Sequence, residues 1–199
     1  MNTIKISGII ISAGLSDRMK RFKPLAIYKG KTFIGNIIHK LEKVCERIII
    51  VTGYKADRLK SEVLNESSEL AHRLKFVQND FYEKGMFTSL QRGVQAASDC
   101  DWLIYHFVDQ PGLPEKFYSE FILQIDEKHN WFQPSVNKRA GHPILIAKEL
   151  FDVIISQSTE SNLRELSTNN KFRKKFWECN YNEIVQDVDT EEDYLKLNE

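Results

Sequence analysis

Cysteine is scarce and unpatterned. Cys45, Cys100 and Cys179 stand far apart, odd in number and without a C-x-x-C pair. That excludes a disulfide framework and a cysteine-based zinc cluster, and fits a reducing cytoplasm. Net charge is missing too, because 28 Lys and Arg balance 28 Asp and Glu. Without a long-range field of one sign, neither nucleic acid nor an anionic membrane is expected as a partner. No apolar run reaches membrane length, and the first, residues 4–12, carries Lys5 and lacks the charged lead of a signal peptide. The 5 prolines and 9 glycines mark no linker, and no repeat or low-complexity tract divides the chain. One domain over residues 1–199 is the expectation.

Two familiar phosphate loops are also absent. Gly30-Lys31-Thr32 imitates the end of a P-loop, but Leu25 stands where its first glycine belongs, and no G-x-G-x-x-G occurs.

Present instead are short β-branched runs between amphipathic stretches. Residues 4–12, Arg47–Thr52, 74–77 and 102–108 read as strands, too uniformly apolar to be open to water on one face. Between them, Phe33, Ile37, Ile38 and Leu41 share one helical face, Leu59 and Val63 a second, and Met86, Leu90, Val94 and Ala97 a third. The order β-α-β-α-β-α-β predicts a Rossmann-like three-layer α/β/α fold with parallel strands and right-handed crossovers. Beyond Pro114 the alternation loosens. Phe117, Phe121 and Ile125 suggest a helix, Trp131–Val136 and 143–147 two strands, 162–168 a short helix, and 184–188 a strand. Thr190 and Asp193 suggest a capping box opening a last helix over 190–197. A mixed, mostly parallel sheet follows. The interleaved Phe172, Phe176, Trp177 and lysines 171, 174 and 175 fit an edge strand or loop blunted by charge.

Parallel strands deliver their carboxyl ends to one edge, where ligands of open α/β sheets bind. The first strand ends in Ser12-Ala13-Gly14-Leu15-Ser16-Asp17-Arg18, followed by Lys20, Arg21 and Lys23. A glycine that admits close backbone approach beside several cations describes an anion site, and equally a solvated basic loop. Asp109 follows the apolar run 103–108 and precedes Pro111, so it faces the crevice as a magnesium ligand or simply opens a turn. His142, between Gly141 and Pro143, is a candidate substrate contact. Asp187 and Asp189 flank Val188 ahead of the final helix, either as charges near a helix N-terminus or as a second metal ligand, a role that favours Asp189.

Taken in order, these segments resemble the MobA-like nucleotidyltransferases, in particular the molybdenum cofactor cytidylyltransferase branch. The matching segments are Ser12 through Met19 with Lys23-Pro24-Leu25, Val51-Thr52-Gly53-Tyr54, Asn79 through Leu90, Val108-Asp109-Gln110-Pro111, Gly141-His142-Pro143 and Asp187 through Tyr194. The resemblance implies Mg²⁺-dependent transfer of a nucleoside monophosphate, CMP first, from an NTP to a phosphate-bearing acceptor such as molybdopterin, with release of pyrophosphate. A molybdoenzyme-maturation protein would be its candidate partner. It implies that Ala13, Gly14 and Leu15 approach the triphosphate and that Arg18 and Lys23 neutralise it. Asp109, with Asp189, would hold the metal. Ser12, Thr52, Gly53, Asn79 and Ser89 would line base and ribose, and Gly141 and His142 would face the acceptor. An NTP-binding half, 1–112, and an acceptor-binding half, 113–199, follow. Three positions depart from the family pattern. Lys20 replaces a frequent glycine, Ser12 a frequent alanine, and residues 158–164 lack a Gly-Asp signature. A sugar-phosphate acceptor and a non-catalytic nucleotide-binding module are the competing expectations.

Overall fold

The computed structural model describes residues 4–15 and 17–199, so Ser16 of the first-loop motif lies outside the described residues. In chain order the elements are β1 (Ile6–Ser12), β2 (Ile27–Tyr28), β3 (Lys31–Thr32), α1 (Phe33–Leu41), β4 (Arg47–Thr52), α2 (Ala56–Glu66), β5 (Leu74–Gln78) and α3 (Met86–Ala96). The second half adds β6 (Trp102–Phe107), α4 (Glu115–Ile122), β7 (Trp131–Val136), β8 (Arg139–Ala140), β9 (Ile144–Ala147), α5 (Phe151–Ile155), α6 (Leu163–Leu166), β10 (Lys174–Glu178) and α7 (Glu191–Leu197).

One sheet runs in the order β10-β7-β9-β6-β1-β4-β5, with β8 paired to β7, while β2 and β3 form a separate small ribbon. Strands β6, β1, β4 and β5 are mutually parallel, and β9 lies antiparallel between β6 and β7. The sheet is therefore mixed and mostly parallel, as the alternation predicts.

The uniform apolarity of the central strands has a direct cause. Ile10, Ile48, Ile50 and Ile104 pack on one face against α1, α2 and α4 through Ile37, Leu41, Leu59, Val63, Phe117 and Phe121. Their neighbours Ile9, Ile11, Ile49, Val51, Leu103 and Tyr105 pack on the other face against Leu90 and Val94 of α3 and Ile154 of α5. Because side chains alternate along a strand, two covered faces leave most positions apolar, with buried polar exceptions such as Ser7 and His106.

Three expectations change. Residues 184–188 form no strand: Asn182–Val185 is a 3-10 turn, and residues 186–189 beyond it form an irregular strap. Its backbone groups are used by loops, with Ile184 O accepting from His142 N and Val188 N donating to Asp109 O. Ile184 and Val188 are apolar because they enter the core. The helix expected over 162–168 shortens to Leu163–Leu166, capped by Asn162 Oδ1, which accepts from Glu165 N. The final helix begins at Glu191, with Thr190 and Asp193 forming the expected capping box. Among the described residues, lysine-flanked β10 is an edge strand, pairing with β7 alone. Its Phe176 is exposed, whereas Trp177 lies against Phe117 and Phe121.

Candidate active site

The carboxyl ends of β1 and β6 open onto a cleft of about 440 Å³ lined by Ser12, Gly14, Leu15, Arg18, Lys23, Asp109 and Asp189, among others. The 3-10 turn Lys23–Leu25 aims Lys23 inward. Its Nζ donates to Asp189 Oδ1 at 2.8 Å and stands 3.7 Å from Asp109 Oδ2. Arg18, on the exposed side, pairs with Asp189 Oδ2 at 2.9 Å. Two carboxylates and two cations thus meet at the mouth of the sheet, and Asp189 arrives from the far end of the chain.

The carboxylates differ in proton affinity. Asp109 is raised to about 6, chiefly by burial, with Asp187 and Asp189 adding repulsion and Lys23 opposing. Asp189, nearer solvent, is held below the usual carboxylate range by its hydrogen bond from Lys23 and by Arg18. Asp109 Oδ1 is buried without a hydrogen-bond partner among the described residues. Leaving such an atom unpaired costs about 1–3 kcal/mol, so it is free to accept a ligand. Oxygen donors from two carboxylates suit a hard divalent cation completed by phosphate oxygens and water. Among the described residues no cluster of three or more His, Cys, Asp or Glu offers an all-protein cage.

Gly14 borders this cleft, and a Cβ built on it would meet no atom within 4 Å. Protein packing does not demand this glycine, and the space in front of it is open. Gly53 differs, since an added Cβ would strike the Tyr82 ring at 2.7 Å and Ala13 O at 2.8 Å. Gly53 therefore lets the second loop close on the first, where Tyr54 N donates to Ala13 O.

A second cavity, about 820 Å³, adjoins the first through Met86 and Phe107, which line both. Tyr105, Phe107, Trp131, His142 and Phe176 give it aromatic walls, and Lys84, Arg164 and Lys174 bring positive charge. The His142 ring lies 4.4 Å from the Phe107 ring, and burial lowers its pKa to about 4, so the imidazole is neutral at pH 7. A Cβ at Gly141 would stand 2.3 Å from Ile184 O, so only glycine lets this turn approach the strap.

Residues 8–174 match the family model of the MobA-like NTP transferase domain. The chain belongs to this family. Its enzyme class is nucleotidyl transfer. The molybdenum cofactor cytidylyltransferase of Escherichia coli is 29% identical over 98% of this chain and 96% of its own length. The nicotine blue oxidoreductase of Paenarthrobacter nicotinovorans is 25% identical over 96% of each. A crystallised protein of Mycobacterium tuberculosis superposes with a TM-score of 0.81 at 18% identity, covering 100% of this chain and 99% of its own, and supports the fold. That protein has also been solved with manganese, with a TM-score of 0.73 at 16% identity over 98% of each chain.

In this NTP transferase the expected residues divide into two groups. Ser12, Gly14, Leu15, Arg18, Lys23, Asp109 and Asp189 line the first cleft, and His142 the second. Thr52, Asn79 and Ser89 are buried behind the loops, with Asn79 Nδ2 donating to Thr88 Oγ1 and Ser89 Oγ at 2.9 Å each and Asn79 N donating to Thr52 O. They brace the second and third loops without facing the cleft. Lys20 adopts φ +55°, the left-handed conformation in which glycine is the natural occupant, which accounts for the glycine of the family pattern. Residues 159–164, where the Gly-Asp signature is missing, line the second cavity.

Sequence reasoning overlooked Tyr82 and Glu83 of the first cleft and the aromatic second cavity. The alternation of Tyr105, His106 and Phe107 was an available signal, since it sends Tyr105 and Phe107 to one face of β6 and leaves His106, bonded to Tyr118, on the other.

Proposed function

We propose that the protein transfers a nucleoside monophosphate, CMP first, from an NTP to a phosphate-bearing acceptor with a planar ring system of the molybdopterin type, releasing pyrophosphate with Mg²⁺ as its cation. The observation that carries this reading is the pairing of two adjoining cavities that share Met86 and Phe107. One holds cations and metal-type carboxylates, and the other holds aromatic walls with a basic fringe.

In this reading the backbone at Ala13, Gly14 and Leu15 cradles the triphosphate, and Arg18 and Lys23 neutralise it. Ser12 takes the ribose side, while Thr52, Gly53, Asn79 and Ser89 contribute by holding the base-side loops in place. Asp109 and Asp189 hold the Mg²⁺, which when bound neutralises charge on the phosphate oxygens. Lys23 already touches both carboxylates, so its ammonium is placed to follow negative charge as it develops at the α-phosphate. No protein nucleophile is called for, because the acceptor phosphate attacks directly and the protein supplies alignment and electrostatics. Gly141 and His142 face the acceptor, with neutral His142 and Phe107 offering a flat surface on which a ring can stack.

The aromatic walls favour a planar acceptor over a sugar phosphate. The name of the Escherichia coli relative supports both CTP and the molybdenum cofactor. A molybdoenzyme-maturation protein would then receive the product. The test is pyrophosphate release with each of the four NTPs, with and without Mg²⁺ and with molybdopterin or a sugar phosphate as acceptor. Release that requires CTP, Mg²⁺ and molybdopterin supports the reading, and release with a sugar phosphate alone overturns the acceptor.

A further inference from the structure

Gln110 follows the metal-type carboxylate Asp109 directly, yet it points away from the cleft and is 2% exposed. Its Nε2 donates to Ile184 O at 3.1 Å and to Asp187 Oδ1 at 2.8 Å. One residue earlier, Asp109 O accepts from Val188 N at 2.9 Å. The β6 loop and the strap are therefore stitched at three points across more than 70 residues of sequence. The amide orientation follows from its partners, since the opposite assignment would set an oxygen against a carbonyl and a carboxylate.

The strap alternates as extended chain does. Asp187 turns to Gln110, Val188 turns into the core, and Asp189 turns to Lys23 and Arg18 in the cleft. Fixing Asp187 on one side thus fixes where Asp189 emerges on the other. The stitch also reaches the second cavity, because the Ile184 carbonyl held by Gln110 accepts from His142 N at 2.9 Å as well. Asp187 does not line the cleft.

We infer that Gln110 and Asp187 are a positioning pair that sets Asp189 opposite Asp109, so that the two carboxylates share one divalent cation. The inference rests on the proposed function, which makes that carboxylate pair the metal site. The decisive property is the donor at position 110 facing the acceptor at position 187. Glu at 110 keeps the shape but opposes carboxylate to carboxylate, and Asn at 187 keeps an acceptor oxygen.

The test is Mn²⁺ affinity, followed by electron paramagnetic resonance on the full chain with a CTP analogue bearing a non-hydrolysable α,β-methylene bridge, so that no turnover is needed. Gln110→Glu and Asp187→Ala are each expected to weaken Mn²⁺ binding tenfold or more. Asp187→Asn is expected to stay within about threefold of wild type, and the Gln110→Glu/Asp187→Ala double variant to lose little beyond Gln110→Glu alone, as partners in one interaction do. If wild type binds Mn²⁺ and both single variants bind it equally well, the positioning role is overturned and the proposed function stands. Loss of melting temperature at unchanged Mn²⁺ affinity likewise overturns the positioning role, reducing the pair to a structural contact. If wild type itself holds no Mn²⁺ with nucleotide, both the metal site and the positioning pair fall.

Discussion

Lys23 Nζ donates to Asp189 Oδ1 at 2.8 Å, joining the first loop of the chain to the strap before its last helix. The contact gathers cation and carboxylate from opposite ends of the sequence at the mouth of the sheet. Lys23→Ala is expected to lower turnover on the order of 100-fold or more, as loss of an electrostatic stabiliser does. Steady-state kinetics with circular dichroism as the fold control checks this, and near-wild-type turnover in a folded Lys23→Ala would remove the lysine from the mechanism.

Asp109 carries a stability cost that can be read from its titration. Its carboxyl is raised to about 6 in the folded protein against an ordinary value of 3.8. Between those values the native state holds more protons than the unfolded one, so the Asp109 contribution to stability falls as pH rises through the window and stays lost above it. Asp109→Asn should therefore melt higher than wild type at pH 8, by on the order of 2 kcal/mol in metal-free buffer, with the difference vanishing near pH 3. The same variant should be inactive. For the wild type, cation affinity should weaken as pH drops below about 6, where the cation competes with a proton. Melting curves at the two pH values check the first point, and equal curves at pH 8 would contradict it.

Three glycines should separate cleanly under substitution by alanine. Gly14→Ala meets open space, so stability should change by less than about 1 kcal/mol while the KM for NTP rises. Gly141→Ala drives a methyl to 2.3 Å from a backbone oxygen and should cost about 2 kcal/mol or more. Gly53→Ala crowds Ala13 O and Tyr82 and should also destabilise. Denaturant titrations check the ordering, and a Gly14→Ala as damaging to stability as Gly141→Ala would show that packing, not ligand space, keeps Gly14.

The second cavity makes a separable prediction. Arg164→Ala removes positive charge from the second cavity, the proposed acceptor site, while leaving the first cleft untouched. The KM for acceptor should rise about tenfold, equivalent to about 1.4 kcal/mol, with the KM for NTP within about twofold. An equal rise in both constants would contradict the division of labour.

Much of this was legible in the chain because burial on both faces of a sheet leaves a mark on every strand residue. The apolar runs located β1, β4 and β6, and the strand ends pointed to Gly14, Lys23 and Asp109 at one edge. Local capping chemistry likewise marked Thr190 and Asp193. Where partners lie far apart in sequence, the pattern was silent. Ile184 and Val188 look like alternate strand positions, yet their backbone groups serve His142 and Asp109, and only the folded chain brings these together. Asn79, just past the end of β5, and Ser89, in the first turns of α3, are polar as ligand contacts are, but they satisfy each other in the interior. Aromatic residues from β6, β7 and β10 meet around the second cavity through strand order, which no local motif encodes.

Transfer of the α-phosphoryl group together with its nucleoside is the reaction on which every role above depends, and isotope labelling checks it without intermediaries. CTP labelled at the α-phosphorus and CTP labelled at the γ-phosphorus are each incubated with the protein, Mg²⁺ and molybdopterin. The expected result is that α-label moves to the acceptor and γ-label leaves as pyrophosphate, both abolished in Asp109→Asn. Label reaching the acceptor from the γ-position, or no transfer of α-label to any phosphate-bearing acceptor, would contradict it.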